Sequence, residues 1–416
     1  MLLARTDRRE ARLALAGLSG RFLALRPSSV RDPFLGGQTG FALVHAAFET
    51  ILPRRGHAAA AERALGRACG ALEMMPSLPS LYHGFTGVAW ATQVLTGGAT
   101  PEVDLLTPID EALERYLAGD GARWNQPFDL LEGLVGIGVY ALERLPRASA
   151  KRIIGRVIDR LADSAQRRRP GVTWWSDPTW VARPLRNAPR KGADPAYNLG
   201  VAHGVPGVIA LLGRVVEADV GSARTRSTAR ALLDKAVAWL LAQELPPGSV
   251  GCFGRGPGPD MSEEPTRLAW CYGDPGIAAA LLVAARGARH RVWKRAAIRI
   301  GLRAAARPFV TAGVIDAGLC HGAAGVAHIF HRLFLGTGER RFAEAARSWF
   351  RHLLEMRGGE RRGFAGFPTW GPNRMGEPRW IADPGFLAGA GGVALALIAA
   401  TTPKADPSWD RVLLLS

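Results

Sequence analysis

Two short segments of this chain match each other: Trp270-Cys271-Tyr272-Gly273-Asp274-Pro275-Gly276 and Leu319-Cys320-His321-Gly322-Ala323-Ala324-Gly325. Each cysteine stands two residues before the first glycine of a G-x-x-G turn, and Cys320 is followed by His321. Two thiols and an imidazole at equivalent places in neighbouring repeats are the donors of a zinc site with three protein ligands. Three ligands leave a fourth position open, which suits chemistry better than structural support. The cysteines do not form a C-x-x-C signature, so this reading rests on repeat equivalence. The plainer alternative is a pair of small buried thiols filling an inner wall.

Further residues are candidates by type and place. His203 lies in Asn198-Leu199-Gly200-Val201-Ala202-His203-Gly204-Val205-Pro206-Gly207, in the repeat before Cys271. It is a general acid or base facing the metal, or a core histidine that caps a turn. Asp129, in Phe128-Asp129-Leu130-Leu131-Glu132-Gly133, orients an imidazole or caps its own helix. Tyr272 and Arg267 flank a metal ligand, where they stabilise a developing anion or serve packing and a surface ion pair. His83 occupies the slot equivalent to His203 and His321, but its repeat is distant from the metal repeats. His328 and His331 read as packing residues, and Cys252 as a bland member of a Gly/Pro-rich loop.

The elements that must position these groups are repeats. A G-x-x-G turn followed by an apolar run occurs seven times, beginning at Gly37, Gly84, Gly133, Gly204, Gly273, Gly322 and Gly389. The spacing leaves room for two helices per repeat. The runs after the turns are apolar on nearly all faces and predict buried helices. The segments between, such as Arg224 to Glu244 and Arg340 to Met356, are charged and amphipathic and predict an outer layer. Long alternating β patterns are missing. The expectation is an all-α toroid with its glycine turns at one end. The turns should leave helix N-termini with free N–H groups at that mouth, favouring anions and thiolates. No G-x-x-x-x-G-K-S/T motif occurs, and no strand precedes the turns as a dinucleotide site requires.

The chain has 416 residues, 48% of them apolar, so a large core is available. Four cysteines are too few for a disulfide framework and fit a reducing cytoplasm, where ligand thiols stay available. The net charge of +17 comes mostly from dispersed arginines, with Arg167-Arg168-Arg169 the densest run. No helix-turn-helix, zinc-finger or RNA-binding signature accompanies it, so a nucleic-acid role is not expected. Attraction of an acidic peptide or protein is the functional alternative to a merely solvated surface. No apolar run has the roughly 20 residues of a membrane helix, and the Arg-rich N-terminus lacks a signal peptide's apolar region. That N-terminal stretch, 1–30, is expected to be a solvated amphipathic extension of a single domain spanning 1–416.

Taken together, N-L-G-x-A-H-G-x-P-G (Asn198–Gly207), W-C-Y-G-x-P-G (Trp270–Gly276) and L-C-H-G (Leu319–Gly322) closely resemble the lanthionine synthetase C-like family, the lanthipeptide cyclases. Tyr82-His83-Gly84, Asp129 to Gly136 and Phe386 to Gly392 extend the resemblance from about Gly36 to the C-terminus. Motifs are sparse only between Ile153 and Ala196, where Trp174-Trp175 still look like the family. The resemblance implies an α/α toroid of seven inner and seven outer helices. It implies zinc held by Cys271, Cys320 and His321, with His203, Asp129, Tyr272 and Arg267 as further active-site residues. The implied reaction adds peptide cysteine thiols to dehydroalanine or dehydrobutyrine, forming lanthionine thioether rings. The partners would be a dehydrated precursor peptide, a dehydratase and an exporter, in the cytoplasm or peripherally at the membrane. A chain without kinase or dehydratase regions would be a stand-alone cyclase. Two other readings compete: a non-catalytic zinc-containing scaffold, and an enzyme adding glutathione to dehydroamino acids. Other α/α toroids fit less well, because no carboxylate pair for glycoside cleavage stands out.

Overall fold

The computed structural model describes residues 2–26, 30–97, 104–119, 124–176, 197–257, 264–358, 362–372, 377–402 and 408–416. Most of the motif-poor stretch before Asn198, residues 177–196, lies outside them. In chain order the helices are α1 (Arg5–Leu23), α2 (Gln38–Ile51), α3 (His57–Met74), α4 (Phe85–Thr96), α5 (Thr107–Ala118), α6 (Leu134–Glu143) and α7 (Ala148–Ser164). They continue as α8 (Val205–Ala218), α9 (Ala223–Leu241), α10 (Asp274–Gly287), α11 (Arg291–Ala305), α12 (Ala323–Thr337), α13 (Arg340–Glu355) and α14 (Ala390–Thr401).

All seven glycine turns open a helix. Gly37, Gly84, Gly133, Gly204, Gly273, Gly322 and Gly389 are the N-cap residues of α2, α4, α6, α8, α10, α12 and α14. These helices are rich in Ala, Val, Leu and Ile, and they are buried as the composition requires. Every residue of α14 is buried. The charged helices bury one stripe instead. In α13 that stripe is Phe342, Ala343, Ala346, Trp349, Phe350, Leu353 and Leu354, the three-and-four spacing of one helix face.

The chain divides into two compact units: Met1–Pro76 with Arg267–Trp270 and Ala305–Trp409, and Ser77–Thr266 with Cys271–Ala304 and Asp410–Ser416. In the first, α14 packs against both α2 and α12, while α3 covers α2 and α13 covers α12. Helix α1 packs on α13 and α14. It is amphipathic, as its sequence suggests, but not merely solvated, because Ala11, Ala14, Leu15, Leu18 and Phe22 form a buried face. In the second unit α4, α6, α8 and α10 lie in a row, with α5, α7 and α9 packed against them. Helices α5 and α6 are tied by a buried network. Tyr140 donates to Asp110 (2.5 Å), and the buried Arg144 donates to Asp110 (2.8 Å) and Asp104 (2.7 Å). The strands among the described residues form two short antiparallel pairs: β1 (Gln166–Arg168) with β2 (Gly171–Thr173), and β3 (Thr369–Pro372) with β4 (Pro378–Ile381).

The expectation of free N–H groups at the helix starts is corrected. At α2, α4, α6, α8, α12 and α14 the loop before the turn folds back over the helix end and supplies acceptors. On α12, Ala323, Ala324 and Gly325 donate to the carbonyls of Asp316 (2.9 Å), Ala317 (3.2 Å) and Gly318 (3.1 Å). On α6, Leu134, Val135 and Gly136 donate in the same way to Pro127, Phe128 and Asp129. This explains the glycines: a Cβ at Gly325 would overlap the Leu319 carbonyl, and one at Gly204 the Asn198 carbonyl. The first-turn amides that make these bonds hold the loops and are not available to an anion.

Candidate metal centre and acid–base pair

The loop hydrogen bonds determine where the thiols lie. Leu268 N–H donates to the Ala312 carbonyl (2.8 Å) and Trp270 N–H to the Cys320 carbonyl (3.0 Å). Cys271 is the next residue, so the same bond that seats Trp270 carries its thiol to Cys320. Leu319 and Cys320 both donate to the Leu387 carbonyl at 2.9 Å, fixing the second ligand loop. The Cys271 thiol, the Cys320 thiol and a ring nitrogen of His321 lie within 4.8 Å of one another. Tetrahedral zinc with thiolates at about 2.3 Å and imidazole at about 2.0–2.1 Å holds such atoms roughly 3.5–3.8 Å apart. Small side-chain rotations close that difference. Cys271 is buried, while Cys320 and His321 are half-buried.

His321 has a carboxylate behind it. Its Nε2 lies 3.3 Å from Oδ2 of Asp316, which is 1% exposed. The same Oδ2 accepts from Trp370 N–H (3.3 Å), and Oδ1 from Gly318 N–H (3.4 Å). A carboxylate on one imidazole nitrogen turns the other toward a metal and makes it a better donor. Two sulfurs, one nitrogen and an outer carboxylate fit zinc by their chemistry.

His203 and Asp129 meet at 2.7 Å, Nδ1 to Oδ2. The two readings of Asp129 coexist, because its Oδ1 accepts from Glu132 N–H (2.7 Å) while Oδ2 holds the imidazole. Burial pulls the His203 imidazole toward the neutral form, but the Asp129 carboxylate outweighs it and holds the pKa above the ordinary value. Glu132 and Cys271 add smaller pushes in the same direction. The turn bearing His203 lies on the loop bearing Cys271: a Cβ at Gly200 would overlap the Cys271 carbonyl.

Tyr272 is held beside this turn. Asn198 Nδ2 donates to its hydroxyl (2.5 Å), and the Arg255 guanidinium lies 5.5 Å from its ring centroid. Arg267 is exposed, with its Cβ against Gly313. Cys252 is buried and its thiol is pushed up to about 12, by burial first and by Asp274 second, so it stays protonated. Both Asp274 oxygens are occupied by the Cys252 and Phe253 N–H groups (2.7 and 3.0 Å). His328 and His331 are buried on α12. His83 pairs with Glu132 through a short Nδ1–Oε1 hydrogen bond; the two stand in the same slot, directly before the first glycine, of successive turns. Asp316, beside His321, is not singled out by the motifs. A signal for it exists: it stands six residues before Gly322, as Asn198 stands before Gly204 and Asp383 before Gly389.

The description of lanthionine synthetase C-like proteins matches residues 32–414. The chain belongs to that family. Among solved structures it is similar to nisin cyclase, at 18% identity over 99% of this chain and 98% of that one, with a TM-score of 0.70. The fold of this family member is accordingly an α/α toroid. An α-1,6-mannanase from Salegentibacter sp. HEL1_6 is a more distant likeness, at 11% identity over 94% of this chain and 98% of that one, with a TM-score of 0.47. No curated protein matches the chain by sequence.

Proposed function

We propose that this family member is a zinc-dependent lanthipeptide cyclase, adding peptide cysteine thiols to dehydroalanine or dehydrobutyrine residues of the same peptide. The observation that carries the reading is the three-donor cluster of Cys271, Cys320 and His321, with two of its members half-buried and His203 on the turn packed against Cys271. A scaffold has no use for a three-donor site beside a histidine held by a carboxylate.

Zinc held by Cys271, Cys320 and His321 would offer its fourth position to the peptide thiol and lower that thiol's pKa. Everything else falls to the chain's own residues. Sulfur bonds to the β-carbon of the alkene, and the alkene electron pair moves toward the carbonyl as an enolate. His203, kept protonated by Asp129, gives its proton to the α-carbon and completes the saturated thioether. The proton lost by the thiol restores the imidazolium, so no oxidant or reductant is needed. Charge on the enolate oxygen is met by the Tyr272 hydroxyl, oriented by Asn198, and by the Arg267 guanidinium. Asp316 keeps His321 turned toward the cluster.

The substrate on this reading is a dehydrated precursor peptide, and a dehydratase and an exporter are its partners in the cytoplasm. No helix among the described residues is long and apolar enough to cross a membrane.

The test is elemental analysis paired with thiol alkylation. Wild type should carry about one zinc per chain and protect the cysteines of a dehydrated peptide from alkylation, since ring closure leaves the mass unchanged. Cys271→Ala should remain folded, with zinc and protection both falling at least tenfold. A wild type folded without zinc, purified without chelator, refutes the reading.

A further inference from the structure

The hairpin β3–β4 carries an aromatic pair that the chemistry above does not use. Trp370 and Trp380 face each other in register, with ring centroids 5.2 Å apart and planes at 70°. They remain 37% and 46% exposed. Cross-strand aromatic pairs stabilise hairpins by roughly 0.2–1 kcal/mol, and that accounts for their facing each other. It does not account for so much indole left in water, since aromatic side chains of this size normally bury their faces. The edge-to-face arrangement leaves an indole face available beside a perpendicular ring, a shape that takes a flat group.

Its position gives the pair a use. Trp370 N–H donates to Asp316 Oδ2, the same oxygen that lies against His321 Nε2. The hairpin is thus two hydrogen-bonding contacts from a metal-donor imidazole, through a carboxylate 1% exposed. A cyclisation site must hold two parts of one peptide: the thiol and the alkene it attacks. The donor cluster accounts for the thiol. The alkene belongs to a dehydroamino acid, whose C=C, carbonyl and amide nitrogen are conjugated and lie flat. Its serine or threonine parent has a tetrahedral α-carbon and a hydroxyl that needs water. Planar π systems stack on indole faces with little dependence on neighbouring sequence.

We propose that Trp370 and Trp380 form the platform that receives the dehydroamino-acid segment of the peptide, distinguishing the dehydrated substrate from its unmodified parent. This rests on the cyclase reading and assigns the half of the substrate that the metal donors leave unassigned. The indoles bind and orient; they exchange no protons and form no bonds.

The experiment uses the full chain and two cysteine-free peptides, one containing dehydroalanine and the other serine at the same positions. Binding is followed by calorimetry, which does not require turnover. Wild type should prefer the dehydrated peptide at least fivefold, and Trp370→Ala/Trp380→Ala should bind both alike. With a cysteine-containing substrate the double variant should raise KM at least tenfold, leave kcat within twofold and keep its zinc. Phenylalanine at both positions should restore most of the preference. Equal binding of the two peptides by wild type, or a preference that survives loss of both indoles, overturns the proposal. Should the double variant fail to fold, Trp380→Ala alone decides by the same measures. Absence of turnover in a wild type that still prefers the dehydrated peptide would sink the cyclase reading and leave the platform standing.

Discussion

His203 and His45 are both largely enclosed, and each ring shares a short hydrogen bond with a second ionisable side chain. The partner of His203 is a carboxylate: Asp129, at 2.7 Å. The partner of His45 is another imidazole: His57, at 2.8 Å, which in turn meets the Ser19 hydroxyl at 2.7 Å. Burial opposes charge in both places. At His203 Asp129 overrides it and the pKa is raised. At His45 nothing does. Burial, the His57 ring and the Arg63 guanidinium all act downward, and the pKa falls to about 4. His57 is lowered too, by burial, against a smaller push from Glu49. The proton is thereby held more tightly at one buried histidine and less tightly at the other. Burial alone lowers a histidine's pKa; a carboxylate at contact distance opposes it.

Breaking the carboxylate side should have the largest effect. Asp129→Asn leaves His203 buried without its countercharge, much as His45 is. We expect kcat/KM for cyclisation near pH 7.5 to fall about 10²–10⁴-fold, the usual worth of a positioned acid. The alkaline limb of the pH profile, which marks loss of the His203 proton, should move at least about one pH unit toward acid. Zinc content should not change. A profile that falls uniformly without moving would mean that Asp129 positions the turn through Glu132 N–H and does not tune the imidazole.

On the other side the effect is on stability, with the opposite pH sign. His203 has a raised folded pKa, so its contribution is complete below the unfolded value of about 6.5 and is lost as pH rises through the folded one. His45 has a lowered folded pKa. Between about 6.5 and 4 the unfolded chain takes up a proton that the folded chain refuses, so stability drains as pH falls. The loss across that interval is about 3 kcal/mol at most, since one proton costs about 1.36 kcal/mol for every tenfold change in its concentration. His45→Phe should flatten this acid slope in urea titrations from pH 7 to pH 4 while cyclisation stays within twofold. The slope decides the matter, because an orphaned His57 costs about 1–3 kcal/mol at every pH. An unchanged slope would move the acid sensitivity to another group.

How much of this is legible in the sequence depends on how local the cause is. The seven helix starts are, because a glycine crossed closely by its own preceding loop is a short-range constraint that repeats visibly. The chemical character of the donors is too, because Cys271 and Cys320 occupy the same slot in two repeats. The fate of the helix-end amides is not: glycine turns suggest open helix ends, whereas these glycines let the loop carbonyls cap them. Contacts made by loop closure leave little trace. Asp316 behind His321 depends on which loops meet in space. The hairpin β3–β4 is only four residues a strand, with prolines at Pro372 and Pro378, too short for an alternating pattern. The slot before a glycine turn sets His203 apart from His45, but their opposite pKa shifts follow from the identity of a neighbour 74 residues away in one case and 12 in the other.

The smallest effect separates contact from distance. Glu132 also raises the His203 pKa, but without touching the ring, and less strongly than Asp129. It is itself paired with His83, which is 37% exposed, so water screens it. Glu132→Gln keeps the backbone N–H that Asp129 accepts and nearly the same side-chain shape. It removes only the charge. The alkaline limb should move toward acid by roughly 0.3–0.5 pH units, corresponding to about 0.5 kcal/mol, and the rate at pH 8 should fall about two- to threefold. A displacement as large as that of Asp129→Asn would mean that the His83–Glu132 pair shares the proton of His203, and that the acid is a four-residue assembly. No displacement at all would confine the tuning to the single carboxylate in contact, which sharpens the contrast with His45 to one neighbouring side chain.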